Sequence, residues 1–282
     1  MIGRTRAFAF CIGLLLLVLN LAGLFIPLRN PALYKEPRRY QGTTLTEEQV
    51  QEAGARRNEP IESYVVRLNN AVRQGTVHYW DDDGINKYRL RVPPWENYLL
   101  FIAGYLKPNE YRKYEYCNYA KAISRGVGFC SQRAIIVSEI LKENGVDSRI
   151  IGLEDHVVAM AQVDQGNDVW WVVDPDFGVV IDHDIDAINK TPEIIKSSYA
   201  AAGYDEETIG NLLRTYGASY HTYRGVKEYR NWKVYYFERL SYLLTWIIPI
   251  LLIYPYMSRR SKGFGSQLLS RPRRRQPNGL FG

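Results

Sequence analysis

Three residues in one order offer nucleophilic chemistry: Cys130, His156 and Asp174. Cys130 follows the break Gly126-Val127-Gly128 and opens a stretch, Phe129 to Asn144, with apolar residues at helical spacing and Gly145 as its stop. A helix N-terminus presents unpaired N–H groups and a partial positive charge. Both favour a thiolate, and a backbone N–H there can hold a developing oxyanion. A cysteine nucleophile also needs a base, and the base needs an orienting group. His156–Val163 and Asp168–Asp174 are β-branched and aromatic runs around a polar turn, Asp164-Gln165-Gly166-Asn167. A three-residue loop with Gly166 left-handed would set Val163 opposite Asn167. His156 then lies directly across from Asp174, with Cβ atoms about 4.5–5.5 Å apart, close enough for the carboxylate to hold one imidazole nitrogen. A slip of one residue would put the two on opposite faces. Taken singly, each has an ordinary reading as a helix-start cysteine, a half-buried histidine or a turn aspartate; the three together point to acyl chemistry.

The elements that must position them read as follows. Thr46 and Gln49 form a capping box for a helix to about Arg57. Pro60 opens a helix with Val65, Val66, Leu68 and Val72 on one stripe. Asp81-Asp82-Asp83-Gly84 is a turn. Pro93-Pro94 begins a helix closed near Lys107-Pro108, and a Tyr-rich helical stretch covers about 110–124. Strands are expected at Asp147–Glu154 and Val179–Ile181, and helix again from Thr191 to about Tyr223. Helices followed by an antiparallel meander make an α+β domain.

Other candidates carry less. Cys11 sits in an apolar run as a small hydrophobe. Cys117 reads as structural, and a Cys117–Cys130 disulfide would silence the site. His78, His183 and His221 have no partner pattern. Asp182, Asp184 and Asp186 lack the glycine and distal glutamate of a calcium loop and read as a solvated strand edge. Tyr116 is a hydroxyl donor with no geometric argument behind it. These residues call for no cofactor and no metal.

The basic residues are unevenly placed. Arg4 and Arg6 precede a long apolar run at 7–28. Arg259, Arg260, Lys262, Arg271, Arg273, Arg274 and Arg275 follow a second at 240–257, and neither tail has an acid. Residues 29–239 hold 27 basic and 30 acidic residues, which leaves the net charge of +6 to the tails and argues against nucleic acid as a partner. Both runs are long enough to cross a bilayer. The first also exceeds the 7–15 residues of a signal-peptide core, so an uncleaved anchor is expected. Trp246, Tyr254 and Tyr256 suit an interfacial belt. Basic tails at both ends predict a cytoplasmic tail at 1–6, a span at 7–28, an extracytoplasmic domain at 29–239, a span at 240–257 and a basic cytoplasmic tail at 258–282 meeting anionic lipid.

The motif set resembles the core of the bacterial transglutaminase-like superfamily. It comprises Gly128-Phe129-Cys130, Gly145-Val146-Asp147-Ser148-Arg149, His156, and Trp170-Trp171-Val172-Val173-Asp174-Pro175. The resemblance covers about residues 95–182. It implies a papain-like α+β fold with an antiparallel sheet and a Cys130-His156-Asp174 triad. Val157-Val158 depart from the aromatic that often follows the histidine, which affects the acyl-acceptor side. The implied activity is that of an acyltransferase, amidase or peptidase, acting through a thioester on an envelope protein or peptide amide. The implied place is the inner membrane, with the domain in the periplasm. The alternative is a silent scaffold of this fold, binding partners in an envelope or exopolysaccharide assembly. The tails lead to a topology test: a phosphatase fused after residue 120 is expected to be active and one fused at residue 282 inactive. A cytoplasmic readout at 120 would reverse the orientation.

Overall fold

A computed structural model describes residues 2–32, 45–79 and 84–268. The expected Asp81–Asp83 turn, residues 33–44 and Arg271–Arg275 lie outside them. Two helices are long and apolar enough to cross a membrane. The first, α1 (Ile2–Gly23), ends five residues before the expected 28. The second, α12 (Trp232–Leu268), starts eight residues before the expected 240, so its first two turns belong to the folded domain. They run antiparallel: Phe10 meets Tyr256, Gly13 packs against Pro249 and Leu252, and Asn20 Nδ2 donates to the Thr245 carbonyl at 2.6 Å. A Cβ on Gly13 would lie 2.9 Å from three atoms of the partner helix. The small residue is what lets the two backbones approach.

Between them lies a mixed α+β domain. Helix α2 (Glu47–Gly54) has the expected Thr46/Gln49 capping box, and α3 (Ile61–Gly75) follows Pro60. Val65, Leu68 and Val72 are buried, but Val66 is 41% exposed and off the stripe. Strand β1 (Val77–His78) leads to α4 (Pro94–Leu106) and a single turn, α5 (Pro108–Tyr111). Residues 112–118 are not helical as expected; helix resumes only at α6 (Tyr119–Arg125), capped by Asn118. Gly126 closes α6 at φ +68°, a left-handed position that suits glycine. Strand β2 (Val127–Gly128) pairs parallel with β1, His78 opposite Gly128. A Cβ at Gly128 would stand 2.5 Å from Gln132 Cβ, so glycine is also what lets the next helix start here.

That helix, α7 (Cys130–Glu143), has ten of its fourteen residues buried, so it is wrapped on all sides. Ile135, Ile136, Ile140 and Leu141 pack into the main core. The sheet has strand order β6-β5-β4-β3-β7, all antiparallel: β3 (Ser148–Gly152), β4 (Val157–Asp164), β5 (Val169–Asp174), β6 (Val179–Ile181) and β7 (His221–Tyr223). β7 corrects the expectation of helix through Tyr223. Ile150, Ala159, Ala161, Val163 and Val173 face α7 and α3. Ile151, Val158, Met160, Trp170 and Val172 face α8 (Ile185–Lys190), α9 (Ile195–Ala201) and α10 (Glu206–Gly217). With both faces covered, the strands read as nearly unbroken apolar runs. Asp184 caps α8 through Ala187 N at 2.7 Å rather than lining a strand edge. A last turn, α11 (Val226–Tyr229), precedes α12.

The buried Arg133 holds these layers together. Its guanidinium donates to Thr76 O at 2.6 Å and Thr76 Oγ1 at 3.0 Å, and to Asp176 Oδ1 at 2.7 Å. It therefore ties α7 to the chain before β1 and to the turn after β5. Removing one partner of a buried pair costs about 3–5 kcal/mol. Arg133→Met is therefore expected to lower the melting temperature by roughly 10 °C for a domain of this size. An unchanged melting temperature would show that the staple does not hold the layers.

Candidate functional site

Cys130 begins α7 after Phe129, which caps the helix without a side-chain bond and so leaves the first-turn N–H groups without a cap from that residue. His156 closes the turn between β3 and β4, where its carbonyl accepts from Leu153 N at 2.8 Å. Asp174 ends β5. The structure brings the three together. His156 Nε2 lies 2.8 Å from Asp174 Oδ2, and Cys130 lines the same cleft as His156, close enough to help raise the imidazole pKa. With Nε2 held by the carboxylate, Nδ1 is the nitrogen left for sulfur.

The route to this geometry differs from the expected one. Pairs across β4 and β5 run Ala159–Val173, Met160–Val172 and Ala161–Trp171, a register two residues from that expected, with an irregularity at Gln162/Asp164. The loop has four residues, 165–168, and its left-handed residue is Asp168 (φ 52°), not Gly166. The Asp164 carboxylate organises the turn by accepting from Gly166 N and Asn167 N. His156 and Asp174 are thus diagonal neighbours rather than direct opposites. A shift of two keeps them on one face, because the side-chain period of a strand is two.

Asp174 is fully buried, and each of its oxygens has two partners. Oδ1 accepts from Asp176 N at 3.0 Å and Phe177 N at 3.2 Å; Oδ2 accepts from His156 and from the Tyr199 hydroxyl at 2.6 Å. Tyr199 is in turn 3.1 Å from the Tyr216 hydroxyl. Phe177 stands edge-on to the His156 ring, centroids 5.6 Å apart, and fixes its plane. For His156, burial is the largest influence and pulls its pKa down. The charge and hydrogen bond of Asp174, with smaller help from Cys130, outweigh it and hold the pKa well above the ordinary value.

A second network adjoins the first, and the sequence had not singled it out. Asp176 Oδ1 binds His78 Nδ1 at 2.9 Å as well as Arg133. Burial works against its charge, but His78 and Arg133 bring its pKa down to about 2. Its contribution to stability is therefore present above about pH 4 and is lost as pH falls toward 2. His78, Cys130, His156, Asp155, Asp176 and Phe177 line a cleft of 290 Å³ that α10 borders with Asn211 and Leu212. A larger hollow of 770 Å³ lies at the other end of α7, between Lys142, Arg224 and Trp232, with no cysteine, serine or threonine among the described residues that line it.

The remaining candidates fall outside the cleft. Cys117 is buried, with its thiol pushed up by burial, and neither it nor Cys130 is in a disulfide. Tyr116 is buried under the Arg125 guanidinium, 4.8 Å from its ring. His183 pairs with Asp182 on the surface, and His221 lies on β7. Arg149 stacks on Trp170 at 4.3 Å, a sheet-face contact that gives these two motif residues a packing role. No family model, no curated protein and no solved structure matches this chain.

The balance at His156 can be measured. Nitrogen-detected titration of the full chain is expected to place the imidazole pKa above about 6.5. In Asp174→Asn it should fall to that value or below, because burial then acts without the carboxylate. A titration unmoved by Asp174→Asn would separate the two residues.

Proposed function

We propose that the chain is a membrane-anchored cysteine acyltransferase or amidase/peptidase of the transglutaminase-like kind. The observation that carries this reading is the joining of Cys130, His156 and Asp174 at a helix start, a hairpin turn and a strand end. In the first step His156 takes the Cys130 thiol proton as the sulfur bonds to an amide carbonyl carbon, and the carbonyl electrons move to oxygen, toward the first-turn N–H groups of α7. His156 then gives its proton to the departing amine as the C–N bond breaks, leaving a thioester. Water or a second amine attacks the thioester, His156 takes the proton of the attacker, and Cys130 leaves as thiolate. Asp174 keeps the imidazole in one tautomer and offsets its charge in both steps. The substrate class is a protein or peptide amide of the cell envelope. The two apolar helices are read as inner-membrane spans, the basic tails as cytoplasmic and the domain as periplasmic. The antiparallel pairing of the spans supports having both tails on one side.

The test is alkylation of the full chain in detergent, with Cys117→Ser and Cys11→Ser so that only Cys130 reports. At neutral pH, iodoacetamide should modify Cys130 without prior reduction. His156→Ala should slow this by about tenfold or more, since the sulfur loses the base that takes its proton. Asp174→Asn is expected to lower amide turnover by roughly three orders of magnitude while folding is kept. Alkylation unaffected by His156→Ala would remove the catalytic reading and leave a scaffold.

A further inference from the structure

We infer that helix α4 lies in the outer leaflet as a third membrane element and seats the domain on the lipid surface; this rests on the membrane reading of α1 and α12. From Asn97 to Leu106 the helix has no charged residue. Asn97 breaks its first turn (φ −160°, ψ 98°), and Asn97 Oδ1 caps the rest by accepting from Leu99 N and Leu100 N. One side faces protein, with Tyr98, Leu100, Ala103 and Gly104 buried. The other presents Ile102, Tyr105 and Leu106, at 48%, 59% and 76% exposure. That spacing of three and four residues makes a single outward apolar stripe.

The depth of the helix follows from its contacts. Asn97 Nδ2 donates to Ser241 Oγ at 2.8 Å, and the Tyr98 hydroxyl donates to Thr245 O at 3.2 Å. Ser241 and Thr245 lie inside the second apolar run. At the other helix, a Cβ on Gly23 would collide with Trp95 O, so the start of α4 touches the end of α1. Helix α4 therefore stands level with the ends of both spans, where the hydrocarbon meets the headgroups. Just beyond Gly23, at the end of α1, two further large apolar residues are open, Leu24 and Phe25 at 67% and 86% exposure. Arg91 donates to the Tyr105 hydroxyl at 2.8 Å and lies 4.1 Å from its ring, the pairing of aromatic body and polar tip that interfaces favour. Exposed Lys107 and Arg112, with exposed Glu110 between them, follow the stripe, and the two basic residues suit anionic headgroups. An apolar collar continuous with two spans, at their depth and edged by basic residues, fits lipid.

The test uses the full chain in nanodiscs made with a phospholipid that carries a diazirine near the carbonyl end of one acyl chain. After illumination, adducts are mapped by mass spectrometry. Peptide 99–106 is expected to carry about tenfold more label than the peptide holding Val66, a comparably exposed apolar residue on α3, as befits a helix buried at headgroup depth. Ile102→Glu with Leu106→Glu should return peptide 99–106 to the Val66 level while labelling of 8–25 and 240–257 persists. Wild-type label on 99–106 at the Val66 level, with both spans labelled, would overturn the inference and leave the spans standing. Absence of label on the spans would instead overturn the membrane reading and this inference with it.

Discussion

The Asp174 carboxylate is a charge taken fully out of water, and the site depends on how it is satisfied. Four donors from three places surround it: the His156 ring, the Tyr199 hydroxyl and two backbone N–H groups of the turn that follows. An isolated buried carboxylate would take up a proton or disrupt its surroundings. Here the donors offset that cost only if β4, β5, α9 and the 174–177 turn all hold their places. The same contacts that make the charge tolerable aim Nε2 at Asp174 and leave Nδ1 toward Cys130.

Asp176, two residues on, does for the layers what Asp174 does for the site. It joins Arg133 on α7 and His78 on β1 through one carboxylate oxygen. The helix that carries Cys130 and the strand that carries Asp174 are therefore coupled through the Asp174-Pro175-Asp176 turn. Arg125 performs a related task behind the glycine break. Its guanidinium donates to Val127 O at 2.9 Å and to Gln132 Oε1 at 3.2 Å, and Gln132 also accepts from Tyr116 N at 2.7 Å. These fully buried polar groups fix where α7 begins, and so where the sulfur sits.

At the opposite side of the domain, α12 is both a core helix and a long apolar one. Val234 and Glu238 are buried inside the domain, with Glu238 accepting from Tyr114, Cys117 N and Asn118 N. Residues 112–118, expected as helix, are instead an irregular segment wrapped on that carboxylate. Because one continuous helix serves both parts, the domain is joined to the apolar pair without a flexible joint at that end.

Local patterns carried much of this in the sequence. The Gly126–Gly128 break before an apolar-periodic run placed Cys130 at a helix start, since a left-handed cap and a close approach both need glycine. β-Branched and aromatic runs around a polar turn located β4 and β5, and parity alone put His156 and Asp174 on one face. That reading survived a wrong loop because the error was two residues rather than one. Chain length and absence of charge marked the apolar helices, though not their ends, because Gly23 and Trp232 are set by packing against α4 and the domain. Tertiary structure decided the rest. Tyr199, Tyr216, Arg133 and His78 reach the site from elements whose own sequences contain no motif. Their roles arise from which face of each helix or strand meets the sheet. Such meetings are made by side chains far apart in the chain, and no local spacing encodes them.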